Sequence, residues 1–295
     1  GQLVLGITVP ESVHSASQPS WHADRKLRLE ISERTGAPRY AIRLYDPRSP
    51  RVKDEPGLIG PPIVLTRGQP VEIEVVNRLK DPTAIHWHGI ELESYYDGVP
   101  GWSGAGTQIT PPIAPDTSFV AHIVPPRAGT FIYHTHWHDT SQLTNGLYGP
   151  LIVLPEGETL DPKSDLTFVF SIGDFGALQE LALINGTPQS KSLQLQTNRK
   201  YRFRFINIST NNQGMQVSLR NPSGPVDWVQ VAKDGADLPA PVSRKAQQTI
   251  TVGETFDVEF STGTAQDLLL DLLLPAQRLH TTQTLSFQPE APVPR

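Results

Sequence analysis

The stretch TFIYHTHWH, residues 130–138, begins as an apolar strand and ends in alternating histidines. A second alternating pair stands upstream in AIHWHGI, residues 84–90. Side chains two residues apart on a β-strand point to the same face, so two such strands side by side can present four imidazoles to one small volume. The four imidazoles are those of His86, His88, His134 and His136. Because imidazole nitrogens bind copper, zinc, iron and nickel, the pattern predicts a metal site.

β-structure is predicted on both sides of these histidines. Apolar residues recur with period two, or in short apolar runs, between turn signals such as RGQP, NRLKDP and NPSG. The predicted strands include residues 26–32, 71–77, 118–124, 130–138, 201–209 and 255–261. Proline is frequent at 28 residues and is poorly tolerated inside helices. The sequence therefore predicts an all-β protein of antiparallel sandwich or barrel type.

The composition excludes several classes of site and partner. The chain contains no cysteine, so a disulfide framework, a cysteine nucleophile, a zinc ribbon and a His/Cys blue-copper centre are excluded within it. Charge is nearly balanced, with 25 Lys and Arg against 30 Asp and Glu, so no nucleic acid partner is expected. No apolar stretch approaches the roughly 20 residues that span a bilayer, so no membrane partner is expected.

Two domains are expected from a length of 295 residues, because a domain commonly holds roughly 100 to 200 residues. The polar stretch PEGETLDPKSD, residues 155–165, divides a histidine-rich first half from a histidine-poor second half. We therefore expect one domain at 26–156, which carries both His-x-His pairs, and one at 157–295 without metal ligands.

The N-terminal residues show an internal similarity. The opening GQLVLGITVPE of residues 1–11 reads like GLYGPLIVLPE at 146–156, which closes the first expected domain. On this basis we interpret residues 1–10 as the last strand of a preceding domain that is missing here, and 11–25 as a linker. The alternative interpretation is an ordinary first strand followed by a loop.

Several motifs between residues 60 and 155 resemble, in order and spacing, the first cupredoxin domain of three-domain laccases and related multicopper oxidases. They are AIHWHGI, YDG at 96–98, PPIAP at 111–115, PRAGTFIYHTH at 126–136 and GLYGPLIV at 146–153. The second half resembles the copper-free middle domain of that family. Its motifs are LING at 183–186, YRFRFIN at 201–207, KDGA at 233–236 and VGETFD at 252–257. The resemblance implies two Greek-key, cupredoxin-like β-barrel or sandwich domains.

The resemblance also implies copper as the cofactor and assigns the ligands residue by residue. His86 would serve a type 2 copper, while His88 and His134 would share one type 3 copper. His136 would serve the other type 3 copper. In the family, the complementary His-x-His pairs come from another cupredoxin domain, which also supplies the cysteine of the type 1 copper. This chain would hold half of the trinuclear ligand set, and a missing domain or second chain would be its partner.

The implied function is that of part of a laccase-like multicopper oxidase. Such an enzyme couples one-electron oxidation of a small reducing substrate to four-electron reduction of O2 to water. The chain alone is expected to be an incomplete enzyme. Oxidative copper chemistry is usually kept outside the cytoplasm, so the parent protein is expected to be periplasmic or secreted.

Two further residues near the histidines have competing interpretations. Asp97 aligns with an acidic residue that the family keeps near the copper cluster, where a carboxylate can relay protons to reduced oxygen. Asp97-Gly98 is also a common turn pair. Period two places His138 on the ligand face, but the matched motif ends at His136, which favours a surface or supporting role.

Two other functions remain open at this stage. A non-enzymatic copper-binding or scaffold cupredoxin module could use the four histidines for storage, for delivery or for nothing, and would explain the missing cysteine directly. A zinc hydrolase is also conceivable, because three histidines and an open position make a catalytic zinc site. Only Asp97 would then be available as a general base.

Overall fold

The computed structural model describes residues 21–48, 56–173, 180–210, 214–275 and 278–290. The interpretation of residues 1–10 as a strand from a preceding domain lies outside the described residues. Of the expected linker, only the last residues are described, and 21–24 run without regular structure into the first strand.

Two four-stranded sheets face each other in the first half of the chain, in the orders β2-β1-β4-β8 and β3-β10-β9-β5, with β6-β7 as a separate hairpin. The strands are β1 Arg25–Glu33, β2 Tyr40–Tyr45, β3 Ile63–Thr66, β4 Val71–Asn77, β5 His86–His88, β6 Gly104–Ala105, β7 Gln108–Ile109, β8 Ser118–Ile123, β9 Gly129–His134 and β10 Tyr148–Leu154. A 3-10 helix spans Ser94–Tyr96, and the short helix α1 spans Asp139–Leu143.

The second half repeats the two-sheet plan with longer strands. One sheet has the order β12-β11-β14-β20-β17-β18, and the other has the order β13-β22-β21-β15-β16 with β19 also paired to β15. The strands are β11 Asp165–Gly173, β12 Leu181–Ile184, β13 Leu193–Gln196, β14 Tyr201–Asn207, β15 Met215–Asn221, β16 Gly224–Pro225, β17 Asp227–Lys233, β18 Ala236–Lys245, β19 Gln247–Ile250, β20 Thr255–Phe260, β21 Gln266–Leu274 and β22 Leu279–Gln288.

Period-two burial explains why these segments form sandwiches. In β1, Leu27 and Leu29 are buried while their neighbours are more exposed. Parallel pairing sets Leu27 beside Ile73 of β4, so both strands turn the same apolar row into one core. The second half encloses its own aromatic-rich core, which includes Phe203 and Phe205. The predicted all-β fold with cupredoxin-like sandwich domains is confirmed. Within the described ranges, no helix has the length and apolar character of a transmembrane span.

β9 lies between the two cores. Its Phe131 and Tyr133 point into the core of the first half. Its Ile132 packs instead with Val169 and Ile206 of the second half. The alternation of a strand thus places one face of β9 in each half, and His134 stands at the end of this doubly held strand.

A buried ionic network reinforces the contact between the two halves of the chain, which we call the seam. Asp257, which is 1% exposed, accepts hydrogen bonds from Arg204 at 3.0 Å and from the hydroxyl of Thr130 at 2.9 Å. Arg204 also pairs with Asp165 at 2.6 Å. The hydroxyl of Thr255 donates to the carbonyl of Thr130 at 2.9 Å. Polar groups of β9 are therefore fixed by the second half of the chain, which limits how the histidine-bearing strand can move.

Candidate metal centre

The two His-x-His pairs meet where β5 lies antiparallel to β9. The register sets His86 opposite His134 and Trp87 opposite Tyr133. Trp87 and Tyr133 are buried in the core of the first half, so alternation turns His86 and His88 to the other face of β5. The ring centroid of His86 lies 5.4 Å from that of His88 and 5.3 Å from that of His134.

His136 reaches the same pocket by a different route from the predicted one. A continuous strand through 130–138 was expected to bring it to the ligand face, but β9 ends at His134. Thr135 is fully buried and donates its backbone N–H to Leu147, which turns the chain. The ring of His136 then comes to 5.6 Å from His86 and 6.0 Å from His134, measured between centroids. The predicted convergence of four imidazoles holds, although the strand does not produce all of it.

Hydrogen bonds fix which ring nitrogen is available in three of these residues. His86 donates from Nδ1 to the carbonyl of Asp97 at 2.8 Å, and His134 donates from Nδ1 to the carbonyl of Thr135 at 2.6 Å. In both rings Nε2 is therefore the nitrogen that can ligate a metal. His88 differs, because its Nδ1 is the atom that faces His134 Nε2 at 3.4 Å. Ligand atoms of the three residues all lie within 4.8 Å of one another.

The environment keeps two of the imidazoles neutral. Burial lowers the pKa of His134 to about 3, and the neighbouring imidazole of His86 acts in the same direction. Burial also lowers the pKa of His88, again with a contribution from His86. A metal ligand must be deprotonated, so these rings offer lone pairs at neutral pH. A set of neutral nitrogen donors within reach of one another fits copper, and would also fit zinc.

Asp97 stands beside His86 and closes the 3-10 helix. Its carboxylate lies 3.3 Å from Nδ1 of His86 and accepts a hydrogen bond from Ser103 at 3.1 Å. Burial acts to raise the pKa of this carboxyl, but the hydrogen bond and charge interaction with His86 outweigh it and the pKa is lowered. Gly98 has a φ of 79°. A side chain there would collide with the carbonyl of Ile85, which makes Asp97-Gly98 a tight turn as well. The structure thus shows Asp97 in a turn beside His86, and its part in proton relay stays a prediction.

His138 lies apart from the pocket. It is exposed, has a left-handed backbone with a φ of 49°, and directly precedes α1. Its ring contacts Trp137 at a centroid distance of 5.4 Å. The backbone reversal removes the period-two reason for placing His138 with the ligands.

Gln142 is a supporting residue that the sequence reasoning missed. It is 2% exposed, and its Oε1 accepts hydrogen bonds from Thr83 at 2.8 Å and from Thr135 at 2.7 Å. Its Nε2 donates to the carbonyl of Pro82 at 3.0 Å. The side chain thereby ties the segment before His86 to the segment after His134. A lone glutamine in a polar stretch carries no motif, so only the fold reveals this role.

Comparison with known proteins shows similarity to multicopper oxidases over the segment that carries these histidines. A sequence profile described as multicopper oxidase matches residues 55–158, which include every candidate ligand. A copper resistance protein A homolog of Pseudomonas syringae pv. tomato is 41% identical over 97 residues, which is 33% of this chain and 15% of that protein. Laccase-10 of Oryza sativa subsp. japonica is 30% identical over 185 residues, which is 52% of this chain and 31% of that protein. The chain thus spans less than a third of either relative.

Solved structures show the same fold over nearly the whole chain. The blue copper oxidase from Nitrosomonas europaea superposes with a TM-score of 0.67 over 89% of this chain and 86% of that chain, at 20% identity. At this identity the likeness concerns the fold alone. The multicopper oxidase profile implies copper as the cofactor, and the histidine cluster is compatible with a copper site. Profile, relatives and fold together show that this chain is similar to multicopper oxidases, with its histidine pairs in a cupredoxin-like domain.

Proposed function

We propose that this chain is part of a laccase-like multicopper oxidase and supplies half of the ligands of its oxygen-reducing copper cluster. The observation that carries the proposal is the convergence of four imidazoles on one pocket, three of them only partly buried. A purely structural histidine is usually buried singly and satisfied by hydrogen bonds. A group of four rings, in which the ligand atoms of His86, His88 and His134 lie within 4.8 Å of one another, instead suits metal binding.

The ligand roles follow the family resemblance. His86 would hold a type 2 copper through Nε2, the nitrogen that its bond to Asp97 leaves free. His88 and His134 would share one type 3 copper, since their facing nitrogens are 3.4 Å apart. His136 would serve the other type 3 copper. When bound, copper would pass on electrons taken from the reducing substrate and would supply the Lewis acidity for reducing O2 to water.

Asp97 is proposed to move protons at this site. Its carboxylate is ionised at neutral pH, because the imidazole of His86 favours the charged form. At 3.3 Å from His86 Nδ1, it also fixes the orientation of that ring. With about a third of its side chain exposed, it can exchange protons with solvent and deliver them beside the ligands.

The remaining ligands are proposed to come from another cupredoxin domain, either on the same polypeptide or on a second chain. This chain has no cysteine and therefore cannot provide a type 1 copper ligand set of the His/Cys kind. That partner would accept electrons from a small reducing substrate and pass them to the shared cluster. We further propose a periplasmic or secreted location, in keeping with oxidative copper chemistry.

Metal analysis of the purified chain tests the ligand assignment. Copper should bind to the wild-type chain and to His138→Ala, whose side chain lies outside the pocket, and should be lost or greatly weakened in His86→Ala and His134→Ala. Equal copper content in all four proteins, with the folds intact, would refute the site.

An oxidase assay with a phenolic donor tests the proposed incompleteness. Activity should arise only when the chain is combined with a domain that carries the type 1 copper. Copper binding by the chain with no activity in any such mixture would favour the alternative of a copper-binding or scaffold module.

A further inference from the structure

The second half of the chain approaches the histidine pocket at the turn that contains Gly253. A Cβ atom on Gly253 would lie 2.8 Å from Nε2 and 2.9 Å from Cε1 of His88. Real carbon atoms are not tolerated that close, so one of the two groups would have to move. The two residues lie in the wall of a cavity of about 360 Å³ between the halves, which Arg127 and Glu254 also line.

We propose that Gly253 is a positioning residue for His88. Its missing side chain leaves the space in which Nε2 of the imidazole stands, and this keeps Nδ1 turned toward His134. The inference rests on the proposed copper-binding role of His88. It adds a task for the half of the chain that carries none of the candidate ligands, namely to set the orientation of one of them.

The turn around Gly253 is held too firmly to give way. The N–H of Gly253 donates to the carbonyl of Asn207 at 2.8 Å, and the N–H of Asn207 donates to the carbonyl of Glu254 at 3.1 Å. The carboxylate of Glu254 accepts from the N–H of Thr251 at 2.7 Å and pairs with Lys233 at 2.8 Å. A side chain added at Gly253 would therefore push on the ring of His88 and not on the turn.

The halves cannot simply separate to make room either. Arg127 donates to the carbonyl of Gly89, next to His88, at 2.7 Å. The same guanidinium donates across the seam to the carbonyl of Asp234 at 3.1 Å. Together with the bond between Thr255 and Thr130, these contacts fix the distance between the turn and β5. The soft element is the rotatable side chain of His88.

The chain offers a matched control for the strain of a positive φ. Gly253 and Gly157 both have a φ of 81°, but a Cβ on Gly157 would meet no atom within 4 Å. Gly253→Ala and Gly157→Ala therefore share the backbone strain, and only the first also crowds His88. Any difference between the two variants reports the contact itself.

Nitrogen NMR of the imidazoles in the metal-free chain tests the contact without copper. Gly253→Ala should shift the ring signals of His88, assigned by their loss in His88→Ala, while Gly157→Ala should leave them in place. Unshifted His88 signals in folded Gly253→Ala would overturn the proposal.

Copper titration of the same proteins should show binding weakened about 10-fold or more by Gly253→Ala alone, the range for loss of a group that orients a metal ligand. Copper binding that Gly253→Ala weakens no more than Gly157→Ala does would also overturn it. Absence of copper binding in the wild type would refute the proposed function. The NMR result would still show whether Gly253 positions the ring of His88.

A thermal-unfolding cycle decides the matter if Gly253→Ala is unstable. Removing the ring with His88→Ala should relieve the crowding, so Gly253→Ala should lower Tm less in the His88→Ala background than in the wild type. Equal losses in the two backgrounds, or failure of the double variant to fold, would assign the defect to backbone strain and refute the proposal.

Discussion

His86 and His134 are direct cross-strand partners, with ring centroids 5.3 Å apart and ring planes nearly perpendicular at 87°. Opposed residues of an antiparallel pair are closer than any other neighbours on a sheet face, so strand register alone brings the first ligand of each His-x-His pair together. The site therefore depends on whatever fixes the ends of β5 and β9.

Gly98→Ala should disturb the start of β5. A side chain at position 98 would collide with the carbonyl of Ile85, directly before His86. Gly101 has the same φ of 79° but would meet no atom within 4 Å. We expect Gly101→Ala to cost about 1 to 2 kcal/mol from backbone strain alone, and Gly98→Ala to cost clearly more in urea unfolding. Similar midpoints for the two variants would contradict this.

Gln142→Ala should loosen both histidine segments at once. It would leave the buried hydroxyl of Thr83 without its acceptor, at a cost of about 1 to 3 kcal/mol, while the hydroxyl of Thr135 could still donate to the carbonyl of Trp137. Copper affinity should fall roughly 10-fold, as when a group that orients ligands is lost. Gln194→Ala, on the exposed side of β13, serves as the control in both the denaturant and the copper titrations. Unchanged copper affinity would show that the ligands are oriented independently of Gln142.

Asp257→Ala should weaken the seam between the halves. Asp257 is 1% exposed and pairs with both Arg202 and Arg204. Since Arg204 keeps Asp165, we expect a loss of about 3 kcal/mol in the free energy of unfolding, the low end for breaking a buried pair. Glu259→Ala breaks only an exposed pair with Lys200 and should cost less than about 1 kcal/mol. Comparable losses from the two variants would mean that solvent already screens the Asp257 network.

We expect the protein to lose stability at high pH as the buried phenol of Tyr148 ionises. Burial raises the pKa of its phenol from the ordinary value of 10.0 to about 12, despite its hydrogen bond with Ser171. The unfolded chain releases this proton at lower pH, so the stabilising contribution is complete below pH 10 and is lost as the pH rises through 12. Tyr148→Phe should flatten this decline in denaturant unfolding without abolishing it, because burial also raises the pKa of Tyr133. An unchanged pH profile would contradict the assignment.

The features that could be predicted from the sequence are those that depend on the local alternation of apolar and polar residues. The strands around Leu27 and Val71, and the pairing that joins the two histidine motifs, follow from period-two patterns that burial then satisfies. The path to His136 was predicted wrongly, since Thr135 turns inward where a strand was expected to continue. The roles of Gln142 and Gly253 could not be predicted, because each depends on a segment far away in the chain. The ligand roles and the proton relay by Asp97 stay predictions.

The position of β9 between the two halves affects whether the first half can be produced as a separate fragment. Its inward side chains complete one sandwich, while Ile132 packs with Val169 and Ile206 of the other and Thr130 donates to Asp257 there. A fragment that stops after Leu154 would expose an apolar stripe and orphaned hydroxyls along the strand that ends in His134. We therefore expect the two sandwiches to stabilise each other, so that a fragment ending at Leu154 is less stable than the whole chain and a poorer starting point for loading with metal.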